Sequence, residues 1–291
     1  MNELQKMADL ASAILNERYT YYYHHKKLIA KIFNETNGGD LNDIILRLTI
    51  IDSFYSTNMS KLNNGIEEIA EEIIKFENDI TIVKECNEFL KDCSDDFVLE
   101  CNMDTLFNKK YGYNKSDIVK KEIEKDYGNH AISLISRYLY FISNFKFPIY
   151  DDLAFDSYIL INNNYDQFNL KLNKYGVGSP NNLDIVKYFK NIIDLNESSN
   201  IKNYDKLDNF LWLIGKVKNG NYSLIVNKKD YKKMIKEINN TNKFLSTKSQ
   251  DMNDHIALNL KENTNIDEEF EIKNNLKGKL KQFVEFAYNL N

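Results

Sequence analysis

Residues 145–152, with the sequence FKFPIYDD, combine a backbone constraint with two carboxylates. Pro148 is one of only two prolines in the 291 residues, and Asp151 and Asp152 follow it closely. A helix must end before a proline, and aspartate is a favoured residue at the start of the next helix. A carboxylate fixed in this way could stabilise a developing positive charge or orient a water molecule. A plain helix cap at Asp151 is the simpler alternative.

Two further polar segments interrupt apolar helical patterns. The first is DSFYSTN, residues 52–58, which ends the apolar run of 41–57 and holds Tyr55, Thr57 and Asn58. The second is the pair Ser136-Arg137 inside the apolar run of 131–143. Each is a candidate for a polar contact with a ligand. The alternatives are a helix-capping role for the first and an exposed polar corner for the second.

The elements that must position these residues are helices, because apolar residues recur at helical spacing along most of the chain. One short strand, 220–226, and one clear loop, 175–180, interrupt the pattern. The sequence predicts helices over 3–18, 26–34, 41–57, 63–76, 79–93, 116–126, 131–143, 151–161, 181–195, 204–216 and 275–289.

The composition indicates a mostly α-helical protein of the reduced cytoplasm. Proline and glycine are scarce, and no apolar run reaches the roughly 18 residues of a membrane helix. The N-terminus is typical of an amphipathic helix and not of a signal peptide. Three loosely spaced cysteines and histidines without metal-ligand spacing predict neither a metal site nor a cofactor. We expect a cytoplasmic monomer that does not bind membranes.

The charge distribution leaves a nucleic-acid partner open. The net charge of −5 gives no indication of DNA binding. Basic residues are nevertheless concentrated in residues 109–121 and 228–236. Lys109, Lys110 and Lys115 in the first run are candidates for phosphate contacts. A solvated helix face is the alternative explanation of each run.

Three motifs carry a family resemblance: LTIIDSFYSTNM (48–59), ISLISRYLYFISNFKFPIYD (132–151) and LDNFLWLIGK (207–216). In this order they resemble the helix-hairpin-helix DNA glycosylase superfamily, in particular its 8-oxoguanine-glycosylase-like branch associated with phage defence. The resemblance covers about residues 40–216. It implies a helical-bundle glycosylase-like domain over 1–216, for which two lobes with a cleft between them remain open, and a polar extension over 217–291 that packs on it.

The resemblance implies roles for the polar segments. The family's catalytic aspartate follows a "proline, apolar, any" triplet, which Pro148, Ile149 and Tyr150 match, so Asp151 is the expected catalytic residue. It lies 96 positions after Tyr55, 151 minus 55, as the family order requires. Segment 52–58 would approach the gap that a flipped base leaves in the duplex. Ser136 and Arg137 would contact a base or a phosphate near the base pocket.

Two departures from the family pattern affect the expected chemistry. The hairpin turn of the family is rich in glycine, whereas KDYGNH (125–130) holds only Gly128. Family members that cut the strand use a lysine, and the matching pair here is Ser136-Arg137. Because arginine stays protonated it is a poor nucleophile, so no lyase step is expected unless Lys125 or another lysine enters the site.

An extruded base needs an aromatic or apolar pocket. Tyr55, Phe147, Tyr150 and Trp212 lie inside the three motifs and are the candidates for this pocket. Each of them could instead be an ordinary core residue, because aromatic side chains dominate protein cores.

The expected function is therefore a monofunctional DNA glycosylase that acts on double-stranded DNA with a modified base. The defence-associated relatives imply hypermodified cytosines of phage DNA as the substrate. The alternatives are an 8-oxoguanine-type repair glycosylase, a non-catalytic module that binds modified DNA, and an interaction protein of a defence system.

Overall fold

The computed structural model describes residues 2–17, 20–94, 102–112, 129–164, 166, 168, 185–219 and 266–290. The predicted helix 116–126, strand 220–226 and loop 175–180 lie outside these residues, as do the basic run 228–236 and three candidate residues, Lys115, Lys125 and Gly128.

The described residues are mostly helical, which confirms the prediction of a mostly α-helical protein. None of the described helices is long and apolar enough to span a membrane. The helices are α1 (Glu3–Leu15), α2 (Tyr21–Glu35), α3 (Leu41–Tyr55), α4 (Gly65–Ile73), α5 (Asp79–Ser94), α6 (Asn102–Asn108), α7 (Ile132–Ile142), α8 (Asp152–Asn163), α9 (Ile185–Ser198), α10 (Tyr204–Lys218) and α11 (Ile266–Asn289). A two-residue antiparallel ladder pairs β1 (Lys110–Tyr111) with β2 (Asn129–His130).

Local sequence explains where these helices begin. Asp40 caps α3 by accepting hydrogen bonds from the backbone N–H groups of Asn42 and Asp43, at 2.9 and 3.1 Å. Asn203 caps α10 in the same way through the N–H of Lys206, at 3.0 Å. The caps fix the chain positions at which the apolar stripes start.

The chain folds into two compact units. Unit 1 contains residues 1–26, 152–172 and 196–291, and unit 2 contains residues 27–151 and 173–195. The boundary between them passes between Asp151 and Asp152. The predicted division at residue 216 stays a prediction, because 220–265 lie outside the described residues.

Unit 1 is built around α10, which packs against α1, α8 and α11. Gly215 permits the close packing of α10 on α8, since a Cβ at this position would lie 2.7 Å from Cβ of Leu153. The glycine of the third motif therefore fixes the first turn of α8, the helix that starts directly after Asp151.

Unit 2 has an aromatic core in which the rings of Phe89, Phe107, Phe147 and Phe189 lie 5.3–6.3 Å apart. Phe147 has no exposed surface. The residue before Pro148 is thus anchored in the core of unit 2, and a base-binding role for Phe147 would require this cluster to open.

A fully buried arginine, Arg47 of α3, joins four elements of unit 2. Its Nε donates to Oγ1 of Thr36 at 2.7 Å, and Nη2 donates to the carbonyl oxygens of Phe33 and Thr36 at 2.9 and 2.7 Å. Nη1 donates to Oδ1 of Asp79 at 2.9 Å and to Oη of Tyr138 at 3.3 Å. The end of α2, the start of α5 and the middle of α7 are thereby tied to α3.

Gly38 makes room for the ion pair between Arg47 and Asp79. A Cβ on Gly38 would lie 1.5 Å from Oδ1 of Asp79, so we expect Gly38→Ala to displace this carboxylate. A lost hydrogen bond to a buried charge costs about 2 kcal/mol of unfolding free energy. Urea unfolding followed by circular dichroism measures this loss.

Gly278→Ala is the matched control, because Gly278 is an exposed position in α11 with no atom within 4 Å of an added Cβ. There alanine should raise the unfolding free energy by about 1 kcal/mol. Equal effects of the two substitutions would contradict the assigned role of Gly38.

Candidate functional site

The segment before Asp151 is held by hydrogen bonds within unit 2. Oγ of Ser136 on α7 accepts a hydrogen bond from the backbone N–H of Tyr150 at 3.0 Å. Oη of Tyr188 on α9 donates to the carbonyl oxygen of Ile149 at 3.1 Å, and its ring lies edge-on to that of Tyr150 at 5.0 Å. Ser136 is fully buried, so its hydroxyl positions this segment and presents no exposed surface to DNA.

Asp151 is a buried carboxylate in an ion pair. It stands directly before the first residue of α8, as the sequence predicts, and its residue exposure is 9%. Nη2 of Arg137 donates to its Oδ2 at 2.7 Å. Asp152, the second carboxylate of the segment 145–152, is an exposed residue of the first helical turn. Burial and the fixed arginine distinguish Asp151 from its neighbour.

Arg137 is itself held from several sides. Its Nη1 donates to the carbonyl oxygen of Ser133 at 3.2 Å and to the hydroxyl of the same residue. The guanidinium carbon lies 4.6 Å from the ring centroid of Tyr55, a cation–π geometry. Nε of Arg137 is buried and has no hydrogen-bond partner among the described residues. The predicted residues Tyr55, Arg137 and Asp151 therefore meet in one cluster.

The polar segment after α3 folds into a loop around a buried carboxylate. Asp52 accepts hydrogen bonds from the backbone N–H groups of Met59 and Ser60, at 3.0 and 3.1 Å. The hydroxyls of Thr57 and Ser60 also donate to it. Asp52 thus gathers residues 56–60 into one compact turn.

The tip of this loop is exposed and has an unusual backbone. Ser56 and Asn58 both adopt left-handed conformations, with φ of 54° and 64°. Asn58 is exposed, and its Oδ1 accepts a hydrogen bond from Nζ of Lys61 at 2.7 Å. Thr57 is half-buried. The loop therefore has a small polar tip, and the hydrogen bonds to Asp52 fix its backbone.

Trp212 belongs to unit 1, whereas Asp151 belongs to unit 2. It is mostly buried and packs against the ring of Tyr22 at a centroid distance of 5.2 Å. Nζ of Lys216 lies 4.9 Å from the centre of the Trp212 ring system. Its base-binding role stays a prediction.

Lys109, one of the lysines predicted to contact phosphates, has an acidic neighbour. Lys109 forms an ion pair with Glu72 of α4 and lies 5.5 Å from the ring centroid of Tyr111. Glu72 also pairs with Lys75 at 2.6 Å, so one carboxylate is shared by two lysines. Lys110 is half-buried in β1, opposite His130. The positive charge of Lys109 is therefore partly balanced within the protein.

No group of three or more histidine, cysteine, aspartate or glutamate side chains among the described residues could hold a metal ion. The chain matches no protein-family model, no curated protein and no solved structure. The chemistry of the site must be argued from its own residues.

Sequence reasoning did not single out Tyr188, Ser133 or Asp52 as positioning residues. The sequence around Tyr188 and Ser133 does not indicate their positioning roles, because their partners are set by tertiary packing.

The sequence does give an indication for Asp52. A carboxylate in the last turn of a helix is opposed by the helix dipole, and its persistence there indicates a compensating set of donors.

The donors around Asp52 make the loop sensitive to acid. Burial disfavours the charge, but hydrogen bonds from the Ser60 and Thr57 hydroxyls and from two backbone N–H groups hold the pKa of Asp52 below its ordinary 3.8. A lowered pKa contributes stability that is present above the ordinary pKa and lost as the pH falls through the folded value.

We therefore expect Asp52→Asn to lower the unfolding free energy by about 2 kcal/mol at pH 7, since an amide oxygen replaces only part of the acceptor set. The difference from wild type should shrink as the pH falls below 3.8. Urea unfolding at a series of pH values checks this, with Glu71→Gln, which removes an exposed carboxylate, as the control. A difference that stays constant with pH would contradict the role of Asp52.

Proposed function

We propose that this protein is a DNA glycosylase that hydrolyses the N-glycosidic bond of a modified base after flipping it out of double-stranded DNA. The observation that carries the proposal is the buried Asp151, held before α8 and paired with Arg137. A carboxylate fixed beside a deoxyribose stabilises the oxocarbenium-like transition state of glycosyl hydrolysis. Its rigidity matters because preorganised charge needs no rearrangement during the reaction.

The proposed reaction is a displacement by water. The bond between C1′ and the base nitrogen breaks, and its electron pair leaves with the base. The water oxygen bonds to C1′, and one water proton passes through Asp151 and solvent to the base nitrogen. The products are a free base and an abasic site.

Arg137 argues for a monofunctional enzyme. It occupies the position beside Asp151 at which a lyase would need an amine, and a guanidinium stays protonated at neutral pH. It cannot attack C1′ to form a Schiff base. The base-free sugar is therefore released as an intact abasic site.

The exposed loop of residues 56–60 fits the task of supporting a distorted duplex. Its tip is polar and its backbone is fixed by Asp52. In the proposal, Thr57 and Asn58 fill the space left by the flipped nucleotide. The ring of Tyr55, the residue directly before this loop, packs on the guanidinium of Arg137, which in turn pairs with Asp151.

The finer features of the proposal rest on the resemblance of the three motifs. They are the helix-hairpin-helix type of the fold, a monomeric and cytoplasmic protein, and a role in defence against phage DNA with hypermodified cytosines. Repair of 8-oxoguanine and an interaction role within a defence system are the other functions compatible with these motifs. The hairpin residues 125–128 lie outside the described part of the chain.

One observation favours a second function, recognition of modified DNA without catalysis. The positive charge of Arg137 partly neutralises the negative charge of Asp151. A carboxylate in an ion pair therefore stabilises a positive charge on a sugar less strongly. In a binding module this pair would be purely structural. Base release separates the two functions.

Asp151→Asn should lower the rate of base release by at least about 100-fold, because the amide removes the charge that stabilises the transition state. The measurement is alkali cleavage and mass detection of released bases from duplexes that carry different modified bases. Asp152→Asn, which changes the exposed neighbour, should leave release unchanged. Base release that survives in Asp151→Asn, with the fold intact by circular dichroism, would refute the assignment. DNA binding without base release by the wild type would support the binding module.

Arg137→Lys should introduce a lyase step, because it places an amine beside Asp151 in the pocket of the guanidinium. The expected result is a covalent protein–DNA adduct after borohydride treatment of an abasic duplex, absent with wild type. Arg137→Met is the control, since it has similar length and no amine. Trapping of the wild-type protein would show that another lysine enters the site.

A further inference from the structure

We propose that Arg137 stabilises the departing base as an anion, and that the substrate is consequently an uncharged base and not a cationic alkylated one. This inference deepens the proposed function and rests on it. It assigns to the buried guanidinium a chemical role in addition to its structural one.

The first observation is the unused donor of Arg137. A guanidinium has five N–H groups in one plane. Nη2 serves Asp151 and Nη1 serves Ser133, whereas the buried Nε has no partner among the described residues. A buried donor without a partner is destabilising, and it is tolerated where a ligand supplies the acceptor.

The second observation is the distance between the two charges. Nη2 of Arg137 lies 2.7 Å from Oδ2 of Asp151. A deoxyribose that approaches this carboxylate brings its glycosidic nitrogen, one bond from C1′, into the neighbourhood of the guanidinium. The ring of Tyr55 lies against the guanidinium, with its centroid 4.6 Å from the guanidinium carbon, and adds a packing contact that favours this position of the arginine.

The two charges match the two products of bond cleavage. When an uncharged base leaves with the electron pair of the C1′–N bond, positive charge grows on the sugar and negative charge on the base. Asp151 stabilises the first and Arg137 the second. The fitting acceptor for Nε is a carbonyl oxygen on the ring atom next to the glycosidic nitrogen, such as O2 of a cytosine or uracil derivative. Proton transfer from water then neutralises the released base.

A cationic base behaves differently. A base such as 7-methylguanine already carries a positive charge and leaves as a neutral molecule, so it develops no negative charge for a cation to stabilise. Before the reaction it is repelled by Arg137 in a buried site of low dielectric constant. The arginine therefore selects against this class of damage.

The experiment compares base release by the full-length protein from two sets of duplexes. One set carries 5-hydroxymethylcytosine or 5-hydroxyuracil, and the other carries 7-methylguanine. Relative to the spontaneous rate of base loss from each duplex, wild type should accelerate release of the uncharged pyrimidines more than release of 7-methylguanine. Arg137→Met should lower their release about 100- to 1,000-fold, the usual cost of one lost donor to a developing anion. It should change release of 7-methylguanine by less than about tenfold.

Three outcomes distinguish the role of Arg137 in leaving-group stabilisation from a purely structural role. Equal loss of release from both sets of duplexes in Arg137→Met would overturn the inference and indicate a structural role. If wild type releases 7-methylguanine in preference, and this release depends on Asp151, the inference fails while the proposed function stands. This wild-type preference tests the inference even if a variant does not fold. Absence of any base release overturns both.

Discussion

The arrangement of unit 2 depends on the solvation of one buried cation. Arg47 has no exposed surface, and an unpaired guanidinium in that position would cost several kcal/mol. The guanidinium of Arg47 donates hydrogen bonds to the carbonyl oxygens at the end of α2, the carboxylate of Asp79 and the hydroxyl of Tyr138. Each acceptor fixes a different helix relative to α3. Gly38 has no side chain because the carboxylate of Asp79 occupies the space where one would lie.

The candidate site depends on this constraint. Tyr138 is the next residue after Arg137 on α7, so the contact between Arg47 and Tyr138 sets the depth and rotation of α7 against α3. With α7 in place, Ser136 reaches the backbone of Tyr150 and Arg137 reaches both Asp151 and the ring of Tyr55. Two buried arginines from adjacent helices thus have different tasks. Arg47 has an acceptor for every nitrogen, whereas Arg137 retains an unused Nε.

Helical periodicity predicted most of the described elements, because an apolar stripe can be recognised without knowledge of its partner. In α4, Ile66, Ile69 and Ile73 are buried, whereas Ile74 at its end is half-buried. The ends of helices were less predictable. The last helix starts at Ile266 and not near residue 275, because its first turns are polar and show no apolar stripe.

In the candidate site, too, some residues could be predicted from local sequence and others could not. Asp151 and Arg137 were recognisable from a proline, a carboxylate and a polar pair on an apolar helix. The hydroxyl of Tyr188, which holds the carbonyl of Ile149, was not, because it comes from a helix 39 residues away in sequence. Local motifs indicate which residues could react, but the residues that hold them in place are set by tertiary contacts.

The central claim is that Asp151 acts by its negative charge on a sugar that becomes positive. The most direct test is the affinity for two abasic duplexes, one with a cationic pyrrolidine in place of the deoxyribose and one with a neutral tetrahydrofuran. A transition-state complementary site binds the charged mimic more tightly. Wild type should prefer the pyrrolidine duplex by at least about tenfold, and Asp151→Asn should lose this preference. Equal affinity of the wild-type protein for both duplexes would contradict the central claim.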